Sequence, residues 1–280
     1  MLLKRVLTAV IGIPIALLLI YYGRLPLFLV VLALGLIGAR EYYYVVFQRG
    51  SHPNVPIGYL GVLLLVLLAW IVPGRRFEVG QLLVVMGLVM ASVAYWGLSA
   101  QTVGAIANGA TTLMGSLYAS MFAYVLAMRY VVPGAVRAFG SSRLTVDPGC
   151  GYVFLLLAVS WLADTAAYAV GRMWGTTRLA PRVSPKKTVE GSVGALGVAM
   201  LAGLILGPQV ELSPWHGLAL GLIGGVLGQV GDLAASALKR DAGVKDFPLF
   251  FPGHGGVLDR FDGLLFNAPA FYFYLKYVVW

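Results

Sequence analysis

The chain has 280 residues, of which 60% are hydrophobic and only 11% are charged. Because a soluble domain carries roughly 25% charged residues, this composition excludes a soluble globular protein and indicates a chain that crosses a bilayer several times. The formal net charge of +9 does not indicate a nucleic-acid partner, since the basic residues occupy short gaps between apolar runs. The single cysteine, Cys150, excludes an intramolecular disulfide.

Nine apolar runs of roughly the length that a bilayer requires follow one another along the chain, because a helix needs about 20 apolar residues to cross about 30 Å of hydrocarbon. The runs lie near 6–22, 25–45, 56–72, 79–99, 103–128, 151–171, 192–210, 215–238 and 262–280. No small-residue cleavage site follows the first run, so we expect this segment to be retained. The sequence therefore predicts an all-α polytopic integral membrane protein with about nine transmembrane helices, and the boundary near residue 100 is the least distinct.

The basic residues are divided unequally between the two sets of alternating connections. Thirteen of the 20 Lys and Arg residues belong to the set that contains the N-terminus, the gap near residue 100 and the segments 40–54, 172–191 and 239–261. Since Lys and Arg favour cytoplasmic connections, we expect a cytoplasmic N-terminus and an external C-terminus. Both charge-rich loops, 172–191 and 239–261, would then face the cytoplasm.

Three carboxylates lie near the ends of the last two predicted helices. Asp232 falls within the eighth apolar run, where an acid at a helix centre costs about 2.5–3.5 kcal/mol, so a functional role is favoured over an interhelical hydrogen bond. Asp259 and Asp262 are three residues apart at the start of the ninth run, which puts both on one helix face; helix capping would explain one of them more easily than two. Together the three would form a hard oxygen site suited to Mg²⁺, with enough negative charge for a second cation such as K⁺.

A glycine-rich turn precedes this pair of carboxylates. Gly253, Gly255 and Gly256 surround His254, and such glycines let the backbone approach a phosphate closely. An ordinary flexible turn has the same composition, and His254 would either contact phosphate or cap the loop.

A second polar segment, 184–191, lies just before the seventh apolar run. Its adjacent lysines, Lys186 and Lys187, suit a triphosphate, although lysines beside a membrane also serve as interfacial anchors. Upstream, Asp164 is a further acid within an apolar run, which would join the metal site or bind a basic residue. By contrast, Glu41 shows no convergent pattern, and we expect it in a solvated loop.

The segment from Ser236 to Asp262 resembles the signature of phosphatidate cytidylyltransferases, also called CDP-diacylglycerol synthases. The resemblance can be followed through Ser236, Lys239, Arg240, Lys245, Asp246, Pro252, His254, Gly255, Gly256, Asp259, Arg260 and Asp262. Pro248 departs from the family, which usually has a small residue at this position. The segment 184–191 and the pair Asp164–Thr165 also look like elements of this family, so the resemblance covers roughly residues 150–280.

The resemblance implies an enzyme that joins CTP and phosphatidate to give CDP-diacylglycerol and pyrophosphate with a divalent metal. It also implies a homodimer, and with the predicted topology we expect it in the cytoplasmic (inner) membrane with its active site facing the cytoplasm. The side chains expected to act in catalysis are Asp232, Asp259 and Asp262, as Mg²⁺ ligands, with Lys239, Arg240, Lys245 and His254. The residues expected to bind CTP and the lipid phosphate are Asp164, Ser184, Lys186, Lys187, Thr188, Glu190, Ser236, Asp246, Gly255, Gly256 and Arg260. Residues 1–150 would form about five N-terminal spans, and residues 151–280 the catalytic transmembrane region.

Two other functional classes explain part of the pattern. Another CTP-dependent lipid enzyme, such as a polyprenol kinase or an ether-lipid cytidylyltransferase, needs the same metal and triphosphate groups but gives a different product. A cation transporter would use the intramembrane acids as an ion path, but it does not explain why Lys, Arg, His and Gly cluster on one face. The phosphatidate cytidylyltransferase accounts for all of these residues.

Overall fold

A computed structural model of the chain describes residues 2–72, 75–99, 103–131, 137–138, 145–248 and 255–280. Most of these residues are helical. The α-helices are Leu2–Tyr22 (α1), Arg24–Gln48 (α2), Val55–Ile71 (α3), Arg75–Leu98 (α4), Ala105–Ser120 (α5), Ala123–Arg129 (α6), Pro148–Trp174 (α7), Val189–Leu206 (α8), Pro214–Asp241 (α9) and Leu258–Tyr274 (α10). A 3-10 turn, Gly207–Val210, follows α8, and a π-helix, Leu275–Val279, continues α10.

Two short antiparallel hairpins connect some of the helices. The first pairs Arg137–Ala138 (β1) with Thr145–Val146 (β2). The second pairs Arg178–Ala180 (β3) with Ser184–Thr188 (β4) and lies between α7 and α8. The sequence predicted a loop over 172–191, where the second hairpin lies, so this pair of strands departs from the expected all-helical chain.

The helices coincide with the predicted apolar runs, and the expectation of an all-α membrane protein is confirmed in this coarse form. Among the described residues, six helical segments are long and apolar enough to cross a membrane. They are Arg24–Gln48, Arg76–Leu98, Ala105–Arg129, Pro148–Trp174, Val189–Val210 and Pro214–Asp241. Two further apolar helical segments, Gly12–Tyr22 and Val55–Ile71, are shorter. The count of nine spans therefore stays a prediction.

The chain forms two compact units. Unit 1 consists of Met1–Ala127 and Leu238–Phe261, and unit 2 consists of Met128–Ala237 and Asp262–Trp280. The boundaries fall within α6, α9 and α10, so each of these three helices contributes residues to both units. The division at residue 150 that the sequence suggested stays a prediction.

In unit 1, close packing of α2, α3 and α5 depends on small residues that face a tyrosine. The Tyr43 hydroxyl donates a hydrogen bond of 2.8 Å to the Thr112 carbonyl oxygen. A Cβ atom on Gly58 or on Gly115 would collide with the Tyr43 ring. The Asn54 side chain caps α3 by accepting the Ile57 N–H at 3.1 Å. Small residues let helices approach closely where no hydrophobic force drives them together, as is typical of membrane helices.

In unit 2, polar contacts and close backbone approaches join the helices. The Asn267 side chain of α10 is fully buried and donates to the Ser160 hydroxyl of α7 at 3.0 Å. The backbones of Gly203 in α8 and Gly217 in α9 are so close that a Cβ atom on either would meet the other's carbonyl oxygen. A side chain larger than hydrogen is therefore excluded at this crossing.

Candidate active site

The β3–β4 hairpin holds the predicted triphosphate-binding segment. Arg178 pairs with Thr188 and Ala180 with Ser184, so the lysines lie on a strand and not on a free loop. Because successive side chains of a strand point to opposite faces, the two adjacent lysines diverge. Lys186 is exposed, whereas 23% of the Lys187 side chain is accessible.

The end of this hairpin is fixed by two capping side chains. The Thr188 hydroxyl accepts the Gly191 N–H at 3.2 Å and caps α8. The Glu190 carboxylate accepts the Thr176 hydroxyl at 2.7 Å and the Thr177 N–H at 3.1 Å. Glu190 therefore joins the first turn of α8 to the segment that enters β3, which orients the lysine-bearing strand. Substrate contact by Thr188 or Glu190 stays a prediction.

The first charged group, which we call the Asp232 cluster, consists of Asp164, Lys187, Asp232 and Asp262 in unit 2. Lys187 and Asp232 form an ion pair between β4 and α9. Asp164 of α7 interacts electrostatically with both of these residues. Asp262 lies on α10, and its backbone is close to Gly231 of α9: a Cβ atom on Gly231 would lie 2.4 Å from the Asp262 carbonyl oxygen. Four separate elements thus bring three acids and a lysine into one unit.

The second group, which we call the Asp259 cluster, consists of Glu41, Lys239, Phe247, Gly256 and Asp259 in unit 1. The Lys239 ammonium and the Asp259 carboxylate are 2.5 Å apart, and only 10% and 9% of their side chains are accessible. The other Asp259 oxygen accepts the N–H groups of Phe247 at 2.9 Å and Gly256 at 3.1 Å. The ammonium also lies 5.4 Å from the centre of the Phe247 ring, within range for a cation–π interaction. These three donors to Asp259, from Lys239, Phe247 and Gly256, all belong to the signature segment.

Glu41 was assigned wrongly from the sequence. It is buried in α2, with 2% of its surface accessible, and it does not lie in a solvated loop. Its carboxylate accepts the N–H groups of Val257 and Leu258 at the start of α10. The available signal was an acid at the end of an apolar run, a position where acids are rarely present without a role.

The remaining basic groups of the signature lie at the protein surface. The Arg240 side chain is exposed and donates to the Val244 carbonyl oxygen at 3.1 Å. Lys245, Asp246 and Arg260 are also exposed. Such side chains are able to reach a soluble ligand, and their roles stay predictions.

The other signature residues are less accessible or lie outside the described chain. Ser236 is buried in α9, with 8% of its surface accessible. Gly255 has a backbone φ of 82°, the left-handed conformation that glycine adopts without strain. Gly253 and His254 lie outside the described residues, so the expectation for the histidine stays a prediction.

The three predicted metal ligands are divided between the two clusters. Asp232 and Asp262 belong to the Asp232 cluster, and Asp259 belongs to the Asp259 cluster. Within the described residues, no group of three or more His, Cys, Asp and Glu side chains is arranged as a set of metal ligands. The donor chemistry nevertheless fits Mg²⁺, since all three are carboxylates and two of them, Asp232 and Asp259, already hold a cationic group.

Comparison with known proteins places the chain among nucleotidyltransferases. The Cytidylyltransferase family matches it over residues 3–278. The chain is 31% identical to a phosphatidate cytidylyltransferase of Synechocystis sp., an alignment that covers 97% of this chain and 96% of that protein. It is 32% identical to the phosphatidate cytidylyltransferase of Bacillus subtilis, with 97% of each chain covered. A shorter stretch of 127 residues is 42% identical to the phosphatidate cytidylyltransferase of Staphylococcus saprophyticus and covers 45% of this chain and 49% of that one. The chain therefore belongs to the cytidylyltransferase family.

Proposed function

We propose that this protein transfers the cytidylyl group of CTP to phosphatidate, giving CDP-diacylglycerol and pyrophosphate. The observation that carries the proposal is the family match over residues 3–278, together with relatives named for this reaction that align over nearly their whole length. The two lysine–carboxylate clusters add a chemical reason, because the reaction brings together a triphosphate and a phosphate monoester.

The reaction replaces one phosphorus–oxygen bond by another. A phosphate oxygen of phosphatidate attacks the α-phosphorus of CTP, and the bond from this phosphorus to the bridging oxygen of the β-phosphate breaks. The electron pair of that bond leaves with pyrophosphate. Because the phosphate monoester is anionic at neutral pH, the nucleophile needs no strong general base. Catalysis then depends on positioning the two substrates and on offsetting their negative charge.

The basic side chains of both clusters and of the nearby surface would offset this charge. They are Lys186, Lys187, Lys239, Arg240, Lys245 and Arg260. Lysine suits this task as a compact charge with three donors, and arginine binds phosphate oxygens in pairs. Lys187 and Lys239 are already oriented by their ion pairs with Asp232 and Asp259. Their ammonium groups are therefore held in defined positions before any substrate binds.

We assign Asp232, Asp259 and Asp262 as the residues that would hold Mg²⁺, with a second cation such as K⁺ sharing their charge. When bound, Mg²⁺ supplies charge stabilisation for the phosphate oxygens. The chain's own contribution is to orient these carboxylates. For Asp259 this is done by the two backbone N–H groups that its Oδ2 atom accepts.

The location and assembly that we propose are those expected from charge and family. The protein would lie in the cytoplasmic membrane as a homodimer, with the loops 172–191 and 239–261 facing the cytoplasm. The excess of Lys and Arg in that set of connections supports this orientation. Labelling of a cysteine introduced at Lys245 tests it, because a reagent that cannot cross the membrane should modify this position only in inverted vesicles.

The reaction itself is tested by pyrophosphate release from CTP by the purified protein in detergent with Mg²⁺. We expect release that depends on phosphatidate, together with a CDP-lipid product. Asp259→Asn should abolish it, whereas Asp241→Asn should not, because the Asp241 carboxylate lies at the surface in an exposed ion pair with Arg49. Pyrophosphate release with the phosphate of an ether lipid, and none with phosphatidate, would instead assign an ether-lipid cytidylyltransferase. Release of CDP from CTP with a polyprenol would assign a polyprenol kinase, because a kinase transfers the γ-phosphoryl group to the alcohol and leaves CDP.

A further inference from the structure

One buried acidic side chain, Glu41 of α2, has no part in the reaction scheme above. Its surface is 2% accessible, so its carboxylate is almost completely removed from solvent. A buried carboxyl group is costly unless specific hydrogen-bond partners offset its loss of hydration. The role of Glu41 is therefore to be found in its partners.

Those partners are two backbone N–H groups at the start of α10. The Val257 N–H donates to Oε1 at 2.7 Å, and the Leu258 N–H donates to Oε2 at 2.8 Å. The first N–H groups of a helix have no acceptor within the helix, and Val257 has no side-chain oxygen to serve as one. Glu41 therefore supplies from α2 the cap that the local sequence lacks. The positive end of the α10 dipole further favours a carboxylate there.

The same turn of backbone orients Asp259, the second residue of α10. Asp259 accepts the Gly256 N–H, and the next two N–H groups along the chain are those that Glu41 accepts. Gly256 is packed between the two acids. A Cβ atom there would lie 2.6 Å from Oε2 of Glu41 and 2.7 Å from Cβ of Phe247. Movement of the Glu41 carboxylate would therefore displace the turn that sets the position of Asp259.

We propose that Glu41 is a positioning residue, which fixes the first turn of α10 and through it the Asp259 carboxylate and its partner Lys239. The link to turnover rests on the function proposed above, whereas the link to the conformation of α10 does not. Glu41 touches neither substrate in this scheme, so its removal should lower turnover by misplacing Asp259.

Two substitutions separate this role from simple packing. Glu41→Gln keeps the volume but replaces one acceptor oxygen by an NH₂ group that would face a backbone N–H, so one of the two hydrogen bonds is lost. Glu41→Asp keeps two acceptor oxygens but is one methylene shorter. If the carboxylate is needed to accept two N–H groups, the Asp variant should be the more active. If only the volume of the side chain matters, the Gln variant should be the more active of the two.

For Glu41→Gln we expect kcat to fall about 10–100-fold, since a misplacement of about 1 Å costs up to about 10²-fold, with KM for CTP changed less than kcat. The matched control is Glu78→Gln, which alters a glutamate in the first turn of α4. It should keep kcat within about twofold of the unaltered protein.

A second measurement does not depend on activity. Hydrogen–deuterium exchange should accelerate at the amides of residues 257–259 in Glu41→Gln and stay unchanged in α3. If the unaltered protein releases no pyrophosphate from CTP, the proposed function fails while the exchange data still test the cap. The proposal is overturned if Glu41→Gln leaves exchange at residues 257–259 unchanged, or if the Gln variant is more active than the Asp variant.

Discussion

The ion pair between Lys239 and Asp259 should contribute far more to stability than the exposed pair between Arg49 and Asp241. The buried pair has 10% and 9% of its side chains accessible, and the exposed pair has 62% and 67%. At 2.5 Å, two unit charges attract by about 6–7 kcal/mol at an effective dielectric constant of about 20. Desolvation offsets much of this attraction, but removing one partner leaves the other buried and uncompensated.

Lys239→Met should therefore lower the free energy of unfolding by about 3–5 kcal/mol, because Asp259 would keep its charge without its cation. Arg49→Met, the matched control, should cost no more than about 1 kcal/mol, as is typical of exposed pairs. The assay is reversible unfolding of the purified protein in mixed micelles, followed by circular dichroism.

The double variant Lys239→Met/Asp259→Asn gives a sharper test. Removing the second charge also removes the uncompensated carboxylate, so the double variant should be more stable than Lys239→Met alone. The reasoning about this pair would be refuted if Lys239→Met and Arg49→Met lower the free energy of unfolding equally. It would also be refuted if the loss in the double variant equals the sum of the losses in Lys239→Met and Asp259→Asn.

Three further substitutions test the two clusters and the hairpin that carries Lys187. Asp232→Asn should lower turnover at least about 10²-fold at saturating Mg²⁺, and chelation of divalent metal should abolish turnover in the unaltered protein. Pyrophosphate release measures both effects. Normal turnover of the variant would remove Asp232 from the metal ligands. Glu190→Ala should raise KM for CTP more than it lowers kcat, because the hairpin that carries Lys187 loses its hydrogen bonds from Thr176 and Thr177 to Glu190. Steady-state kinetics with varied CTP measure this, and an unchanged KM would contradict it. Gly256→Ala should be destabilised by about 1–3 kcal/mol, because its Cβ atom would crowd Glu41 and Phe247; an unfolding midpoint equal to that of the unaltered protein would show that the turn yields without cost.

Hydropathy alone was sufficient to place the helices, because each apolar run must form a helix to satisfy its own backbone in a bilayer. It was less able to count membrane spans. Val55–Ile71 is apolar throughout but shorter than the six long segments, and α5 and α6 together make one segment. Composition cannot decide how such helices cross the membrane.

The β3–β4 hairpin could not be predicted in the same way. Ser184–Thr188 is short, polar and contains a proline, so it has neither the alternation nor the β-branched residues that indicate a strand. Its strand pairs with β3, and its ends are held by contacts between side chain and backbone: Glu190 binds Thr176 and Thr177 before β3, and Thr188 caps α8. Strand propensity does not indicate such contacts.

The charged clusters were identified by residue type but not by partner. The sequence indicated that Lys187, Lys239, Asp232 and Asp259 have functional roles, and it did not indicate which lysine pairs with which acid. Such pairing depends on how helices and strands pack, and the spacing along the chain contains no information about it. Glu41 was missed for the same reason, since its partners are 216 and 217 residues away.

That separation has a consequence for the synthesis of the protein. At about 5–20 residues per second, a ribosome needs roughly 10–40 s to make the chain between Glu41 and its partners. During this interval α2 has been synthesised, whereas the N–H groups of Val257 and Leu258, which donate to the Glu41 carboxylate, do not yet exist. Glu41 must meanwhile stay protonated, hydrated or at the membrane interface. Final packing of α2 is thereby postponed until α10 has been synthesised, so a chain truncated before α10 should be an early target for membrane quality control.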